Sequence, residues 1–232
     1  MLPLSLVSFI IPAYNEEKTI GEVIKTTAQV MRSLGLDYEI IVVNDGSTDR
    51  TEFVASTSES CVTVFSNTSN HGKGYCIRLG AKHAKGDFLV TLDSDGEHKP
   101  KEIPELLAPL FDGTDIVAGS RFLGNSSNVT NKINIVGNYF FNIAIMVITG
   151  KIVSDSQTGF RAMKKDVFEK LDLQSDGYDI ETEITVKSLM NGFTFKEVPI
   201  TIERRKHNIS KIKLFSDGRK ILAAIIKSSL YK

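Results

Sequence analysis

Short apolar, β-rich runs at residues 6–11, 38–43, 61–65 and 88–92 alternate with longer stretches of helical character. No other feature narrows the fold so far. Runs apolar at consecutive positions suit strands buried on both faces, and helical connections between them imply βαβ units in a mainly parallel sheet. The expected helices open at Asn15-Glu16-Glu17 and run to about residue 34, then through the fifties, then over 71–85. In such sheets ligands sit beyond the carboxyl ends of the strands, where strand order reverses. Polar clusters follow the first, second and fourth runs: Tyr14-Asn15-Glu16, Asp45-Gly46-Ser47-Thr48-Asp49 and Asp93 to Glu97. They would share one edge.

The fourth run is the most informative chemically, because it ends directly in Asp93-Ser94-Asp95, with Glu97 two further on. Positions i, i+2 and i+4 of an extended chain point the same way, so these acids converge if the backbone stays extended. Converging carboxylate oxygens suit a hard divalent cation that keeps waters and bridges to substrate phosphates. The competing reading is a polar turn, since Asp, Ser and Gly are common turn formers.

At 232 residues and 41% apolar, the chain is long enough for one sizeable core. Its formal net charge is zero, so nothing global argues for nucleic acid, although basic residues crowd 203–213. Cys61 and Cys76 fit no metal spacing and read as small hydrophobes. The start lacks the charged segment and cleavage site of a signal peptide, which points to a cytosolic location. Asp115 to Ala118 reads as a strand leading to Gly119-Ser120-Arg121, and the apolar residues 133–148 as a helix. That helix is too short and too polar for a bilayer span of about 20 apolar residues, so it lies in the core or in the headgroup region. Helices are expected from about Lys164 and from Tyr178-Asp179-Ile180-Glu181, and a strand over 193–202. At the end, Leu214, Phe215, Ile221, Leu222, Ile225, Ile226 and Leu230 share one helical face among lysines and Arg219. Such a helix either lies on an anionic membrane or packs on the domain.

Several motifs are excluded. Lys73 is followed by Gly74, not Ser or Thr, so Asn70-His71-Gly72-Lys73-Gly74 is no P-loop. Ile77 occupies the third glycine position of a dinucleotide fingerprint, no Gly-x-Ser-x-Gly occurs, and the histidines lack zinc spacing.

Seven segments in order carry a resemblance. Ile11-Pro12-Ala13-Tyr14-Asn15-Glu16-Glu17, Val43-Asn44-Asp45-Gly46-Ser47-Thr48-Asp49, His71-Gly72-Lys73-Gly74, Asp93-Ser94-Asp95 and Gly119-Ser120-Arg121 resemble the motifs of family-two glycosyltransferases of the GT-A type. Asp155-Ser156-Gln157-Thr158-Gly159-Phe160-Arg161 and Arg205-Lys206-His207-Asn208-Ile209-Ser210-Lys211 narrow this to the dolichyl-phosphate mannose and glucose synthases and their archaeal relatives. The similarity spans about residues 7–213. It implies an α/β GT-A fold, a Rossmann-like sheet flanked by helices, with a catalytic domain at 1–212 and an amphipathic, membrane-surface helix at 213–232.

The resemblance also implies roles. Pro12, Tyr14 and Glu16 would hold the nucleobase and ribose, and Asp45 would contact base or ribose. Asp93 and Asp95 match the metal-binding pair for Mg²⁺ or Mn²⁺, with Ser94 between them at the donor. Glu97 stands where mannose synthases often carry glutamine and would be a third oxygen ligand. Arg121, Arg205 and Lys211 match cations that hold donor and acceptor phosphates, and Lys132 falls near a family arginine with that role. Asp155 sits where the family places an acid near the acceptor, to orient or deprotonate it.

The reaction so implied is inverting transfer of a hexose or N-acetylhexosamine from a GDP- or UDP-linked donor to dolichyl or polyprenyl phosphate. The motifs choose neither the base nor the sugar. The family's bacterial and some of its archaeal members carry transmembrane helices after the catalytic domain, where this sequence has the amphipathic stretch. Peripheral attachment to the cytosolic leaflet, directly or through a membrane partner subunit, is therefore expected. Two rivals share part of the pattern: transfer to a saccharide hydroxyl, and a non-catalytic nucleotide-sugar binding module, against which the intact acid pair speaks.

Overall fold

The computed structural model describes residues 5–123, 132–203 and 214–230. Seven strands, β1 Val7–Ala13, β2 Tyr38–Asn44, β3 Val62–Ser66, β4 Phe88–Thr91, β5 Ile116–Ser120, β6 Arg161–Lys164 and β7 Phe195–Pro199, form one sheet in the order β3-β2-β1-β4-β6-β5-β7. The helices among the described residues are α1 Ile20–Leu34, α2 Thr51–Ser58, α3 Lys73–His83, α4 Ile103–Phe111, α5 Lys132–Thr149, α6 Lys165–Lys170, α7 Ile180–Met190 and α8 Leu214–Leu230. From β1 the chain winds outward through β2 to β3, then returns to place β4 on the other side of β1. The order therefore reverses between β1 and β4, directly beneath the acid pair.

The consecutive apolar residues of the strands serve two faces. Phe9 and Ile11 of β1 join Ile40 and Val42 of β2 in a core closed by α1 and α4, with Ile24 and Leu106. Ile10, Ile41 and Val43 point the opposite way, into a core closed by α3, α6 and α7, with Ile77, Val167 and Ile184. A side-chain period of two with apolar groups on both phases produces this three-layer packing. A third, smaller cluster joins α5, α7 and α8 through Ile145, Val186, Ile221 and Ile225. The basic C-terminal helix thus buries one face on the body of the protein while Leu222 and Ile226 stay exposed.

Two expectations are corrected. The first helix begins at Ile20, not at Asn15, because residues 15–17 are knitted to the β2–α2 loop. Asn15 adopts φ +53°, its Oδ1 accepts the Thr48 N–H at 2.8 Å, and Asp49 Oδ2 accepts the Glu17 N–H at 3.2 Å. The second correction is β6, which the sequence reading missed. It lies antiparallel between β4 and β5, with Thr91 opposite Arg161 and Ala118 opposite the same residue. Its direction matters, because an antiparallel strand begins at the edge where its parallel neighbours end. The segment preceding β6, residues 155–160, is thereby carried to the carboxyl edge.

Candidate active site

A cleft of ≈ 420 Å³ opens at the carboxyl ends of β1, β2 and β4. Pro12, Tyr14, Glu16, Asp45, Asp93, Ser94 and Asp95, scattered in sequence, all line it, and so do Asn70, Lys73 and Tyr178. Ser94 donates its hydroxyl to the Pro12 carbonyl at 2.9 Å, which ties the exits of β4 and β1 together. The Glu16 carboxylate is buried and accepts the Thr19 hydroxyl at 3.1 Å.

The chain does not stay extended past β4. It turns at Gly96, whose φ of +75° is ordinary for glycine and strained for other residues. Asp95 Oδ1 accepts the Glu97 N–H at 3.0 Å across this turn. Among the described residues no three His, Cys, Asp or Glu side chains gather as a metal site. Glu97 follows this turn, and its charge acts on Arg121. Two carboxylates at a cleft still fit Mg²⁺ or Mn²⁺, cations that take one or two protein carboxylates and complete their shells with water and phosphate oxygens.

Lys73 is the main functional residue that the sequence reading left without a role. Its Nζ lies 2.5 Å from Asp93 Oδ1 and 2.6 Å from Glu181 Oε1. Burial works against the ammonium, but the charges of Asp93 and Glu181 outweigh it and push the Lys73 pKa up, so it stays cationic. Burial pushes the Glu181 carboxyl up, only partly opposed by Lys73. Gly159 makes the arrangement possible. A Cβ there would fall 2.8 and 3.0 Å from the two Asp93 oxygens and against Lys73 Nζ. Behind Asp93, the buried His98 stacks on Phe160 at 5.4 Å and presents Nδ1 to Asp93 Oδ2 at 3.6 Å. Burial lowers its pKa.

Asp155 and Arg121 form a second group beyond β5. Asp155 is fully buried and accepts Arg121 Nε at 2.6 Å, Arg121 Nη2 at 2.8 Å and the Arg121 backbone N–H at 3.1 Å. Asn138 and the Gln157 N–H add two longer contacts, and Glu197 Oε1 holds the Asp155 N–H at 2.8 Å. Burial disfavours the Arg121 cation, but Asp155 more than compensates and its pKa rises. A carboxylate so engaged is fixed in orientation and in turn fixes the guanidinium. Of the remaining expected residues, Arg205 and Lys211 lie outside the described residues, and Lys132 opens α5.

Asp45 is likewise buried. Its carboxylate accepts Asn67 Nδ2 at 2.8 Å, the His71 N–H at 2.9 Å and the Gly72 N–H at 2.8 Å. It anchors the loop that leads into α3 and so positions Lys73.

The family model described as glycosyl transferase family 2 matches residues 8–172. An uncharacterized protein of Methanocaldococcus jannaschii is 33% identical over 229 residues, covering 96% of this chain and 91% of that one. The dolichol-phosphate mannosyltransferase of Pyrococcus furiosus is 33% identical over 220 residues, 89% of this chain and 59% of its own length. An undecaprenyl-phosphate 4-deoxy-4-formamido-L-arabinose transferase of Pseudomonas fluorescens is 31% identical, covering 90% of this chain and 61% of its own. The chain thus spans about three-fifths of these two named relatives. Among solved structures, glucosyl-3-phosphoglycerate synthase from Mycobacterium tuberculosis, crystallised with Mn²⁺, UDP and phosphoglyceric acid, superposes with a TM-score of 0.74 at 23% identity, covering 98% of this chain and 80% of its own. That likeness concerns the fold.

Proposed function

The chain belongs to glycosyl transferase family 2, and from that premise we propose that it transfers a sugar from a nucleoside-diphosphate donor to a polyprenyl phosphate, with inversion at the anomeric carbon. The observation that carries this reading is the meeting of Asp93, Asp95 and Lys73 in the cleft at the β1/β4 reversal. The relatives named for dolichol and undecaprenyl phosphate support the acceptor class. The solved synthase of the same fold, crystallised with Mn²⁺ and UDP, supports the donor and metal classes.

Bound by Asp93 and Asp95, Mg²⁺ or Mn²⁺ would supply Lewis-acid charge for the departing nucleoside diphosphate. Lys73 holds Asp93 in place and adds a fixed positive charge beside it. Arg121 is kept extended and cationic by Asp155, as a phosphate-binding group whose geometry is set before substrate arrives. The nucleophile is an oxygen of the lipid phosphate, whose second pKa near ~6 leaves it ionised at neutral pH. No strong general base is required, which agrees with an Asp155 committed to Arg121. The bond between the anomeric carbon and the diphosphate oxygen breaks, and the new bond forms to the phosphate oxygen on the opposite face.

Access to a lipid acceptor has its own support. On α5 the exposed side chains include Val136, Tyr139, Phe140 and Val147, 58–75% exposed, with Ile152 beyond at 84%. Leu222 and Ile226 of α8 are exposed near Arg219, Lys220 and Lys227. Among the described residues no helix is long and apolar enough to cross a membrane. An apolar face rimmed by cations suits peripheral attachment to an anionic leaflet. Flotation with vesicles rich in anionic lipid is expected to carry the protein upward and neutral vesicles to carry much less. Equal flotation with both would remove the part assigned to the cations, and none would leave attachment to a partner subunit.

The reaction is tested with labelled GDP-mannose, UDP-glucose and UDP-N-acetylglucosamine plus Mn²⁺, with and without dolichyl phosphate. Label entering the organic phase only with the lipid is the expected result. Label passing instead to a saccharide would overturn the acceptor assignment, and donor binding without transfer to either would favour a binding module.

A further inference from the structure

Helix α5 carries buried amides where a packed helix face ordinarily carries apolar side chains. Its outer side exposes Val136, Tyr139, Phe140 and Val147, while Asn138, Asn142 and Ile145 follow one another inward at i, i+4 and i+7. Ile145 is fully buried in the third cluster, and Asn138 is only 4% exposed. The two asparagines answer different groups. Asn142 serves backbone: its Nδ2 donates to the Ser154 carbonyl at 2.8 Å, and its Oδ1 accepts the Ser156 N–H at 3.2 Å. Asn138 reaches a charged group instead. Its Nδ2 donates to Asp155 Oδ1 at 3.3 Å, and its Oδ1 accepts the Ser156 hydroxyl at 3.4 Å.

Asp155 grips Arg121 side-on through Nε and Nη2, which turns the Nη1 edge away from the acid. The direction of that edge follows the plane of the Asp155 carboxylate. The Arg121 and Gln157 N–H groups on the same carboxylate come from loops, whereas Asn138 stands inside an 18-residue helix. A group held from a rigid element keeps its orientation better than one held from loops. We propose that Asn138 is a positioning residue that acts through Asp155 to aim Arg121 at a substrate phosphate, a deepening that rests on the transferase reading. The helix with the exposed apolar side would then also be the one that sets the phosphate-binding group.

Asn138→Leu tests this with the fold kept. Asp155 retains its contacts to Arg121 and Gln157, and the Ser156 hydroxyl still accepts Gln157 Nε2 at 3.1 Å, so no buried group is orphaned. Melting within a few degrees of the parent is therefore expected. KM is measured for the lipid phosphate and for the nucleotide sugar in the parent, Asn138→Leu, Arg121→Lys and the double variant. Asn138→Leu is expected to raise the KM of one substrate about tenfold, the scale of one misaligned charge-assisted hydrogen bond, and to leave the other unchanged. A rise for the lipid phosphate assigns Arg121 to the acceptor, and a rise for the nucleotide sugar assigns it to the diphosphate. Lysine at 121 keeps the charge but lacks the fork that Asp155 aims. In that background the change at Asn138 is expected to add less than about twofold. Asn138→Ala, which removes the amide without adding bulk, should repeat both results. Effects that multiply in the double variant, or equal rises for both substrates, overturn the inference and leave the transferase reading standing. A parent that transfers to neither lipid nor saccharide overturns that reading and the inference with it.

Discussion

Replacing Asp93 with alanine is expected to lower turnover by about three orders of magnitude or more while leaving the melting temperature within a few degrees of the parent. The two halves of this expectation come from the same charge count. Lys73 sits between Asp93 and Glu181, so the buried trio carries one cation and two acids. Removing Asp93 leaves the Lys73–Glu181 pair intact at 2.6 Å, and no buried charge is orphaned. The usual large penalty for breaking a buried ion pair therefore does not arise. Asp93 is also the less buried partner, with its side chain 24% exposed against 3% for Glu181. What disappears is the carboxylate proposed to hold the cation at the leaving diphosphate. Asp95→Ala should behave similarly, since Asp95 lines the same cleft, where its Oδ1 accepts the Glu97 N–H in the turn. Initial rates at saturating donor, with circular-dichroism melts of the same samples, measure both quantities. Rates near the parent's in either variant would remove the metal assignment; a collapsed melt would mean that the acid is structural.

The sheet was legible because its strands are short apolar runs with both phases filled, a pattern that only a two-sided core requires. The acid pair was legible because it closes one of those runs. The strand β6 was not. Arg161-Ala162-Met163-Lys164 is four residues bounded by cations, and its strand conformation comes from lying between β4 and β5, not from local preference. With β6 went the reason why Gly159 and Asp155 reach the carboxyl edge. Lys73 was visible as a motif residue, but its partner Glu181 arrives on α7, far along the chain, and pairing across such a distance leaves no trace in a single sequence. For Glu97 the i, i+2, i+4 argument was conditional on extended backbone, and Gly96 turns the chain there. Residue types marked the site, whereas the pairing of those residues needed the tertiary fold.

Arg161→Met is expected to be the most destabilising single change near the site, by about 3–5 kcal/mol, with a fall in Tm of roughly 10 °C. Arg161 is fully buried, and among the described residues it spends its donors on carbonyl and hydroxyl oxygens. Nε donates to the Thr158 carbonyl at 2.8 Å, Nη2 to the Ser156 carbonyl at 2.9 Å and Nη1 to the Thr185 hydroxyl at 2.9 Å. Burial lowers its pKa against the combined pull of Glu181, Asp155 and Glu197, so the guanidinium is the common counter-charge of three acids. A methionine fills comparable volume but leaves two buried carbonyls without donors and those acids without their shared cation. Lysine at this position keeps the charge but lacks the planar fork, so Arg161→Lys should fall between the two. The consequence for function runs through residues 156–159, which Arg161 clamps and which place Gly159 against Asp93 and Lys73. Turnover of Arg161→Met measured well below its melting point should still be depressed, because the loop has lost its anchor even where the sheet persists. A melt within 2 °C of the parent would show that the three acids are compensated elsewhere, and the role assigned to this arginine would fall with it.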